Sequence, residues 1–535
     1  MDINSAIKAS LRNISNHGDT DIFPFPFENH LFFDCHKKCE VLLQKFHSDF
    51  KNFFASFPPF TIVTLTQVGY TGFRWATQIE PFWNAYYLAL VISISDRIEE
   101  IRIPENERTV FSYRLGWQEK EAKLFKDITW QDFRARSIEL SQKYKYIITT
   151  DIADFYPRIY HHRIENALLR LHMRDETPKR IMSLLSSFSK NVSYGLPIGG
   201  PASRILSELA LCPVDEHLLH RGIIFCRYAD DYCIFCDSKS EAYKHLVLLS
   251  EKLFNEGLAL QKNKTRILST EEFLEMASLL DPIAKKGGFD KLTEEQKLLS
   301  ISIRFDPYSP TATEDYERLK AAINEVDIIG ILGREVAKTA IDTAVAKQAI
   351  NAIKALPALA QEGAIRTILD FANLEVLSPV FVTVMRAVRG VYDELSEEGK
   401  DFIDLALVNL FENHSHLLSV ELNLSYFIGA LSMRHTRKKE EILVKLFDHQ
   451  ASPLIRRLII LMMAKWECFY WLSDIKQKFY GLPEWEKRAF ILASYVLGDE
   501  GRHWRKSAEK SWTPMDDLIK GWFSERYKSA GMIPI

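Results

Sequence analysis

The 535-residue sequence predicts an α+β domain followed by an all-α domain. In the first part, helical stretches such as PFWNAYYLALVISISDRIEEIR (81–102) alternate with short apolar runs such as YKYIITTDI (144–152). After the loop RFDPYSPTATEDY (304–316), apolar residues recur at helical spacing and strand-like runs disappear. We therefore predict a mixed domain over residues 1–300 and an all-helical domain over residues 301–535.

Composition describes a well-packed globular protein, with 47% hydrophobic and 12% aromatic residues. No apolar run reaches the length that a bilayer requires, and the N-terminus lacks the features of a signal peptide, so we expect a cytoplasmic protein with no membrane partner. The net charge of −3 does not indicate nucleic acid, yet residues 101–190 hold 17 Lys and Arg against 12 Asp and Glu. That excess fits a channel for a phosphate backbone, although taken alone it favours an ordinary solvated surface.

The cysteines are too few and too scattered for a disulfide framework; they stand at positions 35, 39, 212, 226, 233, 236 and 468. The segment CHKKC (35–39) has the residue types of a zinc site, but no second ligand pair at metal spacing accompanies it. We predict buried or incidental thiols.

Paired aspartates stand in RYADDYCIFC (227–236), between two β-prone runs that predict a hairpin. Asp230 and Asp231 fit a surface turn, where Asp is common, and they also fit a functional site at the hairpin tip. Because successive strand residues point to opposite faces, we expect one of the two to dominate any site.

A third aspartate makes the functional interpretation the better one. In YIITTDIADFYPRIYHH (146–162), a β-prone run delivers Asp151 at its end, so Asp151 and Asp230 can meet on adjacent strands of one sheet. Two carboxylates that meet there repel each other unless positive charge lies between them. A pair of Mg²⁺ ions, which also bind the phosphates of a nucleotide, is the usual source of that charge.

Two loops complete the pattern. SYGLPIGGP (193–201) is rich in glycine and proline and leads into a helix, and glycine is one way to let another molecule, such as a stacked base pair, approach the backbone. GLALQKNKTRIL (257–268) supplies a basic loop after the hairpin. Order, spacing and chemistry then agree across four segments.

These segments together resemble the reverse transcriptases. YADD matches the family's Tyr-x-Asp-Asp signature, TTDIADFYPRIY the segment with the first metal-binding aspartate, GLPIGGPASRILSEL the template–primer loop and helix, and LALQKNKT the later segment that ends in Lys-Thr. The resemblance covers roughly residues 60–280. It implies the fingers and palm of a right-hand polymerase in the first domain.

Carried over by matching position, the resemblance implies a metal site. Asp151 and Asp230 become the main ligands of two Mg²⁺ (or Mn²⁺) ions, the carbonyl of Ile152 completes a metal shell, and Asp231 supports the hairpin tip and its charge.

It also implies a nucleotide site. Tyr156 falls where an aromatic ring lies beneath the sugar and excludes a 2′-hydroxyl, although core packing is the alternative. Lys264 matches a basic residue near the leaving phosphates, and a solvated lysine is equally compatible. Arg114, with Arg102, is a fingers candidate for phosphate binding. The template–primer loop is predicted to use Gly195, Pro197, Gly199 and Gly200.

Less specific features of the sequence indicate which group of reverse transcriptases it resembles. The FYP of the first motif, VFSYR, PFWNAYYLALV and the long helical C-terminus look most like bacterial abortive-infection, or defence-associated, reverse transcriptases. That group implies anti-phage defence, a HEAT-like helical-repeat domain in place of a thumb, and homo-oligomers. The expected partners are dNTPs, a single-stranded DNA product and, where synthesis is templated, RNA. Some members extend DNA without a template and prime it from their own protein.

Two alternatives stay open. One is a retron-like enzyme that copies a dedicated non-coding RNA, since retron enzymes share the PIG loop. The other is an inactive polymerase fold that serves as a nucleic-acid-binding scaffold, which the intact Asp151, Tyr156, Asp230 and Asp231 disfavour.

The helical domain shows weak self-similarity, with Pro-initiated helices predicted near residues 378, 452 and 483. These spacings suit helical-hairpin repeats, and a generic helical bundle is equally compatible. We predict that recurring basic residues line a concave surface facing a phosphate backbone, with solvated helix faces or salt bridges as the alternative. They are Arg386, Arg389, Arg456, Arg457, Lys487 and Arg488.

Overall fold

The computed structural model describes residues 1–190, 192–280, 293–300, 323, 326–413, 415–449, 452–531 and 533–534. The chain divides into two compact units. The first comprises Met1–Val63, Ala76–Ala277 and Glu509–Glu525, and the second Thr64–Trp75, Ser278–Ala508 and Arg526–Ile535. The predicted loop at 304–316 lies outside the described residues, and the predicted boundary after residue 300 adjoins that undescribed segment and stays a prediction.

The strands are β1 (Thr61–Val68), β2 (Gly72–Ile79), β3 (Leu115–Gln118), β4 (Lys123–Phe125), β5 (Tyr146–Asp151), β6 (Ile224–Tyr228), β7 (Asp231–Cys236) and β8 (Arg266–Ser269). In the described residues, β1 pairs with β2 and β3 with β4, while the central sheet has the order β6-β7-β5-β8. Its three pairings are antiparallel. The predicted strand around YKYIITTDI and the predicted hairpin around the paired aspartates are therefore confirmed.

The helices of the first unit are α1 (Ile3–His17), α2 (Phe27–Asp34), α3 (His36–Ser48), α4 (Phe50–Ser56), α5 (Pro81–Ser93), α6 (Ser95–Ile101), α7 (Trp130–Ser141), α8 (Phe155–Arg158), α9 (His161–Leu169), α10 (Thr177–Phe188), α11 (Pro201–His220), α12 (Lys239–Asn255) and α13 (Thr270–Leu280). Apolar sequence explains the position of α5, which is buried along most of its length and packs against α1, α10 and α11. Pro81 opens it and the Glu80 carboxylate caps it by accepting from the amide of Trp83 at 2.8 Å.

The central sheet buries one apolar face under α7 and α13. Phe133 from α7, Ile147 from β5, Phe235 from β7 and Phe273 from α13 pack into one core cluster. The cysteines of the two hairpin strands lie in this region as buried free thiols. This burial fits the prediction of buried or incidental thiols. The same core packs against β5 and β7, the two strands that carry Asp151 and Asp231 at their ends.

A C-terminal helix returns to the first unit. Helix α27 (Pro514–Ala530) places Trp522 in this unit, where the indole stacks on Phe27 and its Nε1 donates to an oxygen of Asp34 at 2.7 Å. Trp522 is 2% exposed. A truncation that ends near residue 300 would remove this buried ring and leave its partners uncovered, so the first unit needs residues that follow the helical region.

The described part of the second unit is helical apart from the tip of the β1–β2 hairpin. Its helices are α14 (Glu294–Ser300), α15 (Ile328–Val336), α16 (Thr343–Ala352), α17 (Ala358–Leu369), α18 (Phe371–Val376), α19 (Phe381–Val391), α20 (Glu397–Asn413), α21 (Glu421–Leu431), α22 (Arg437–His449), α23 (Pro453–Lys465), α24 (Phe469–Lys478), α25 (Glu484–Ala493) and α26 (Gly498–Ala508). The predicted all-helical C-terminal region is confirmed for these residues. None of the helices in the described ranges is long and apolar enough to cross a bilayer.

Alternate helices of this unit pack in succession, α16 on α19, α19 on α21, α21 on α23 and α23 on α25. This stacking is compatible with the predicted helical repeats, and a HEAT-like assignment stays a prediction. Two of the three predicted Pro-initiated helices begin a little later than expected, because Pro379 lies in a 3₁₀ turn and Pro483 stands just before the first helical residue.

The predicted basic surface of this unit is wrong for Arg457 and Arg488. Their side chains are 3% and 2% exposed, and the Arg457 guanidinium lies 4.7 Å above the Trp485 ring. Arg456 pairs with the buried Glu486 at 3.2 Å. Recurrence at helical spacing does not reveal which basic residues are buried, and Arg457, stacked on Trp485, is one of them.

Candidate active site

Three carboxylates converge at one end of the central sheet. Asp151 ends β5 and stands in register with Asp231, the first residue of β7. The amide of Ile152 donates to the carbonyl of Asp230 at 3.2 Å, so the chain beyond β5 continues beside the hairpin tip. The antiparallel pairing of β5 with β7 thus brings together the aspartates that lie far apart in sequence.

The hairpin tip departs from regular strand geometry. Tyr228 pairs with Asp231, which leaves Ala229 and Asp230 as the connecting residues. Ala229 has a φ of +53°, a left-handed conformation that is uncommon for a residue with a Cβ, and its carbonyl accepts from Nη1 of Arg227 at 2.8 Å. Because Asp230 lies in this turn, strand alternation does not separate it from Asp231, contrary to the expectation of a single dominant residue.

The electrostatics of this corner reflect crowded negative charge. Burial, followed by the charge of Asp151, raises the pKa of Asp230 to about 7. Burial and Asp151 also raise the pKa of Asp231 to about 6, while Lys264 opposes that rise. In the described part of the chain, Oδ1 of Asp151 is buried and accepts no hydrogen bond. The Trp130 side chain is within hydrogen-bond reach of Asp231, but burial and mutual repulsion still dominate at both Asp230 and Asp231.

A lysine of the basic loop reaches this corner. Nζ of Lys264 donates to Oδ2 of Asp151, and the lysine side chain is 65% exposed. Backbone bonds hold the loop against β5, because the amide of Gln261 donates to the carbonyl of Asp151 at 2.7 Å. The hydroxyls of Thr150 and Thr265 add a contact at 2.7 Å. Lys264, which the resemblance assigns to the leaving phosphates, therefore lies beside the aspartates, and its assigned role stays a prediction.

A second acidic cluster lies directly behind the hairpin and is fully paired. Arg227 donates to both oxygens of Asp215 at 2.9 and 2.6 Å and to both oxygens of Glu208 at 3.2 and 2.9 Å. Arg102 and the hydroxyl of Ser112 donate to Glu208 at 2.7 and 2.6 Å. This network was not expected from sequence, although Glu208 and Asp215 lie two helical turns apart on one face of α11.

Arg114 and Arg102, predicted to bind phosphate, are enclosed in the protein. Arg114 is 2% exposed, donates to the carbonyls of Val110 and Ile103, and pairs with Glu99 at 3.1 Å. Arg102 is 4% exposed. The guanidinium groups of both arginines donate to carbonyls of the segment that precedes β3. Because these N–H groups already have partners inside the protein, the structure disfavours the predicted phosphate contact. A buried arginine and a phosphate-binding arginine look the same in a basic sequence.

Tyr156 lies in a cluster of polar side chains that includes Tyr113. Its hydroxyl is within hydrogen-bond reach of Ser207 and Tyr113, and burial raises its pKa well above the ordinary value. Tyr113 lies close enough to feel the charge of Asp230, and the Arg204 guanidinium covers its ring at 5.4 Å. Sequence reasoning missed Tyr113 and Arg204. They occur in the VFSYR and PASRIL segments, where the sequence pattern points to other residues.

The close neighbours of the glycine loop are other residues of this chain. A Cβ on Gly199, whose φ is +98°, would stand 2.4 Å from the Thr20 hydroxyl and 2.7 Å from Asp21. Gly195 has a φ of +97°, and its amide donates to the carbonyl of Ile159 at 2.8 Å. At Gly199 the close neighbour is therefore the N-terminal segment. A template–primer role for Gly195, Pro197, Gly199 and Gly200 stays a prediction.

A comparison with family models adds the decisive observation. Residues 90–299 match the model described as reverse transcriptase (RNA-dependent DNA polymerase). The chain contains a reverse transcriptase domain. The matched segment includes all four strands of the central sheet, the paired carboxylates and the basic loop.

Solved structures with similarity to this chain include telomerases from two Candida species. The telomerase of Candida albicans in complex with a fragment of telomeric RNA is 8% identical over 66% of this chain and 67% of its own, with a TM-score of 0.30. The apo telomerase of Candida tropicalis is 10% identical over 72% and 74%, with a TM-score of 0.29. No curated protein sequence matches the chain.

Proposed function

We propose that this protein is a DNA polymerase of the reverse transcriptase type, which adds dNTPs to a growing strand at Asp151, Asp230 and Asp231. One observation carries the proposal. Three carboxylates of a reverse transcriptase domain converge on one corner of the sheet, two of them with raised pKa values, and one exposed lysine is the cation at hand. Polymerases require such a corner for phosphoryl transfer.

The residues present fit two divalent cations. Carboxylate and carbonyl oxygens are the ligands of Mg²⁺ and Mn²⁺, and Asp151 offers a buried oxygen without a hydrogen bond. Asp151 and Asp230 would hold the ions, with the carbonyl of Ile152 as a further ligand and Asp231 beside them. When bound, such ions neutralise the phosphates and lower the pKa of the attacking hydroxyl.

The chain's own groups would then position the nucleotide. We assign Tyr156 to the sugar, where its ring would exclude a 2′-hydroxyl, since its hydroxyl is tied back toward Ser207 and Tyr113. We assign Lys264 to the leaving pyrophosphate, to which its ammonium group could pass a proton. Its exposed side chain and its contact with Asp151 support this assignment.

The finer role that we propose is anti-phage defence of the abortive-infection type, in a homo-oligomer, with synthesis that is untemplated and primed by a tyrosine of the protein. The support is the sequence resemblance together with the long helical region. A retron-like enzyme that copies a non-coding RNA is the second candidate, favoured by the PIG loop at residues 197–199.

Incorporation of labelled dNTPs by the pure full-length protein in Mg²⁺ tests the polymerase proposal. We expect Asp230→Asn to lower the rate by about 10²–10³-fold or more, because a charge that the transition state needs is lost. Asp237→Asn, on the exposed residue that follows β7, is the matched control and should retain full activity. Full activity of Asp230→Asn would reject the proposed site.

The finer proposals have separate outcomes. RNase pretreatment should leave an untemplated enzyme active and silence one that copies co-purified RNA. For self-priming, the reaction is denatured and digested with nuclease, and label should remain on the polypeptide. Product that runs free of protein would reject self-priming and leave the polymerase proposal intact.

A further inference from the structure

Three side chains with metal-binding atoms meet in the second unit, far along the chain from the aspartates. His435 lies in the loop between α21 and α22, Glu440 in the first turns of α22, and Cys468 in the turn between α23 and α24. One atom from each, an imidazole nitrogen, a carboxylate oxygen and a sulfur, lies within 4.8 Å of the other two. Nε2 of His435 is 2.9 Å from an oxygen of Glu440.

A buried lysine donates hydrogen bonds to the loop that carries His435. Lys439 is fully buried, and its Nζ contacts the carbonyls of Arg434 at 3.2 Å and Leu431 at 3.4 Å. The same ammonium group pairs with Asp404. Because Lys439 precedes Glu440 on α22, one anchored element presents both the imidazole and the carboxylate.

The turn that carries Cys468 is equally fixed. Its amide donates to the carbonyl of Met463 at 2.9 Å, and the amide of Glu467 donates to the carbonyl of Ala464 at 3.1 Å. This pair of bonds is the Schellman arrangement at the end of α23. Glu467 takes the left-handed position with a φ of +56°, where glycine is usual. The chain thus adopts an unfavourable conformation at the residue that sets the direction of Cys468.

The ligand set selects among metals. Thiolate sulfur and imidazole nitrogen suit zinc, whereas Mg²⁺ and Ca²⁺ prefer oxygen alone. Three protein ligands leave one tetrahedral position open, and side-chain exposures of 45% for His435 and 37% for Glu440 leave room for water there. The aspartate corner of the first unit, by contrast, is built from carboxylate oxygens.

We propose that His435, Glu440 and Cys468 bind one zinc ion, with water as the fourth ligand. The ion ties the turn before α22 to the turn before α24 and so links two successive helical hairpins. The site is independent of nucleotide addition. It also gives Cys468 a role that scattered cysteine spacing does not suggest.

Zinc titration of the full-length protein, freed of metal by chelation, tests the site. Cobalt serves as the spectroscopic probe, because sulfur-to-cobalt charge transfer reports thiolate ligation. We expect one tightly bound zinc per chain and a charge-transfer band in the wild type. Both should be lost in Cys468→Ser, and zinc affinity should fall about 100-fold or more in His435→Gln.

Matched controls separate this site from others. Cys35→Ser removes a cysteine of similar partial burial from the CHKKC segment, and His416→Gln removes another exposed histidine beside a glutamate. Both controls should keep the zinc and the cobalt band, as should Asp230→Asn, which disables the carboxylate corner. Zinc lost in Cys35→Ser or Asp230→Asn, or retained with its band in Cys468→Ser, would overturn the proposal.

Discussion

The reverse transcriptase domain contains two acidic clusters, one at the hairpin tip and one around Arg227 behind it, and only the second is paired with arginine. Glu208 and Asp215 are completely buried, yet Arg227 and Arg102 pair with them through close hydrogen bonds. Asp151, Asp230 and Asp231 are less buried, and the exposed Lys264 is the one cation close to them among the described residues. The deeper cluster is neutralised and the shallower one is not.

The pKa of Glu208 follows this difference, whereas burial still raises the pKa of Asp215 despite its pair with Arg227. Burial alone would raise the pKa of Glu208, but Arg227 and Arg102 hold it below its usual value. No arginine of the described residues pairs with Asp230, and burial with the charge of Asp151 raises its pKa to about 7. A paired cluster indicates a structural support, and a cluster short of positive charge indicates a site for cations that come from solution.

Removing the cation of the paired cluster should have the largest effect. Arg227→Met would leave Glu208 and Asp215 buried without their main partner, at a cost of about 3–5 kcal/mol in the free energy of unfolding. Urea denaturation measures that loss. Arg108→Met, at an exposed pair 3.5 Å from Glu139, is the control and should cost under about 1 kcal/mol. Equal losses in the two variants would remove the distinction drawn between the clusters.

Removing a charge from the aspartate cluster should have the opposite sign. A carboxyl whose pKa is raised in the folded state makes the fold less stable as pH rises from the unfolded value of 3.8 to about 7. Without metal, Asp230→Asn should therefore gain on the order of 2 kcal/mol at pH 8, and the gain should vanish near pH 4. Thermal unfolding in EDTA at both pH values measures it. A variant less stable than the wild type at pH 8 would contradict the proposed charge crowding.

Lys264 should matter least for stability. Its pair with Asp151 is exposed on the lysine side, so Lys264→Met should lower the metal-free stability by under about 1 kcal/mol at low salt and by less at high salt. Unfolding at two ionic strengths checks this. A loss as large as that of Arg227→Met would mean that Lys264 already neutralises the corner.

Sequence predicted the parts of this site that rest on local pattern. The β-prone run before Asp151, the hairpin before and after Asp230, and the basic loop with Lys264 each occur where periodicity and motif place them. Their convergence followed from the pairing of adjacent strands. The match to a reverse transcriptase domain confirms the fold of this region.

What sequence did not reveal depends on contacts between distant segments. The burial of Arg114 and the pairing of Arg227 with α11 require knowing which helix face meets which strand. The return of Trp522 to the first unit, and the meeting of His435 with Cys468, join residues at spacings that no motif records. Such contacts arise from tertiary packing, and the local sequence pattern does not predict them.

Metal titration of the aspartate corner tests the central claim most directly. Calorimetry with Mn²⁺ on the metal-free full-length protein, with zinc-site variant Cys468→Ser as background, counts the ions bound to carboxylates. The account predicts two ions in this protein and loss of at least one when Asp230→Asn is added, while Asp237→Asn changes nothing. Binding that is absent from the background protein, or unchanged by Asp230→Asn, would contradict it.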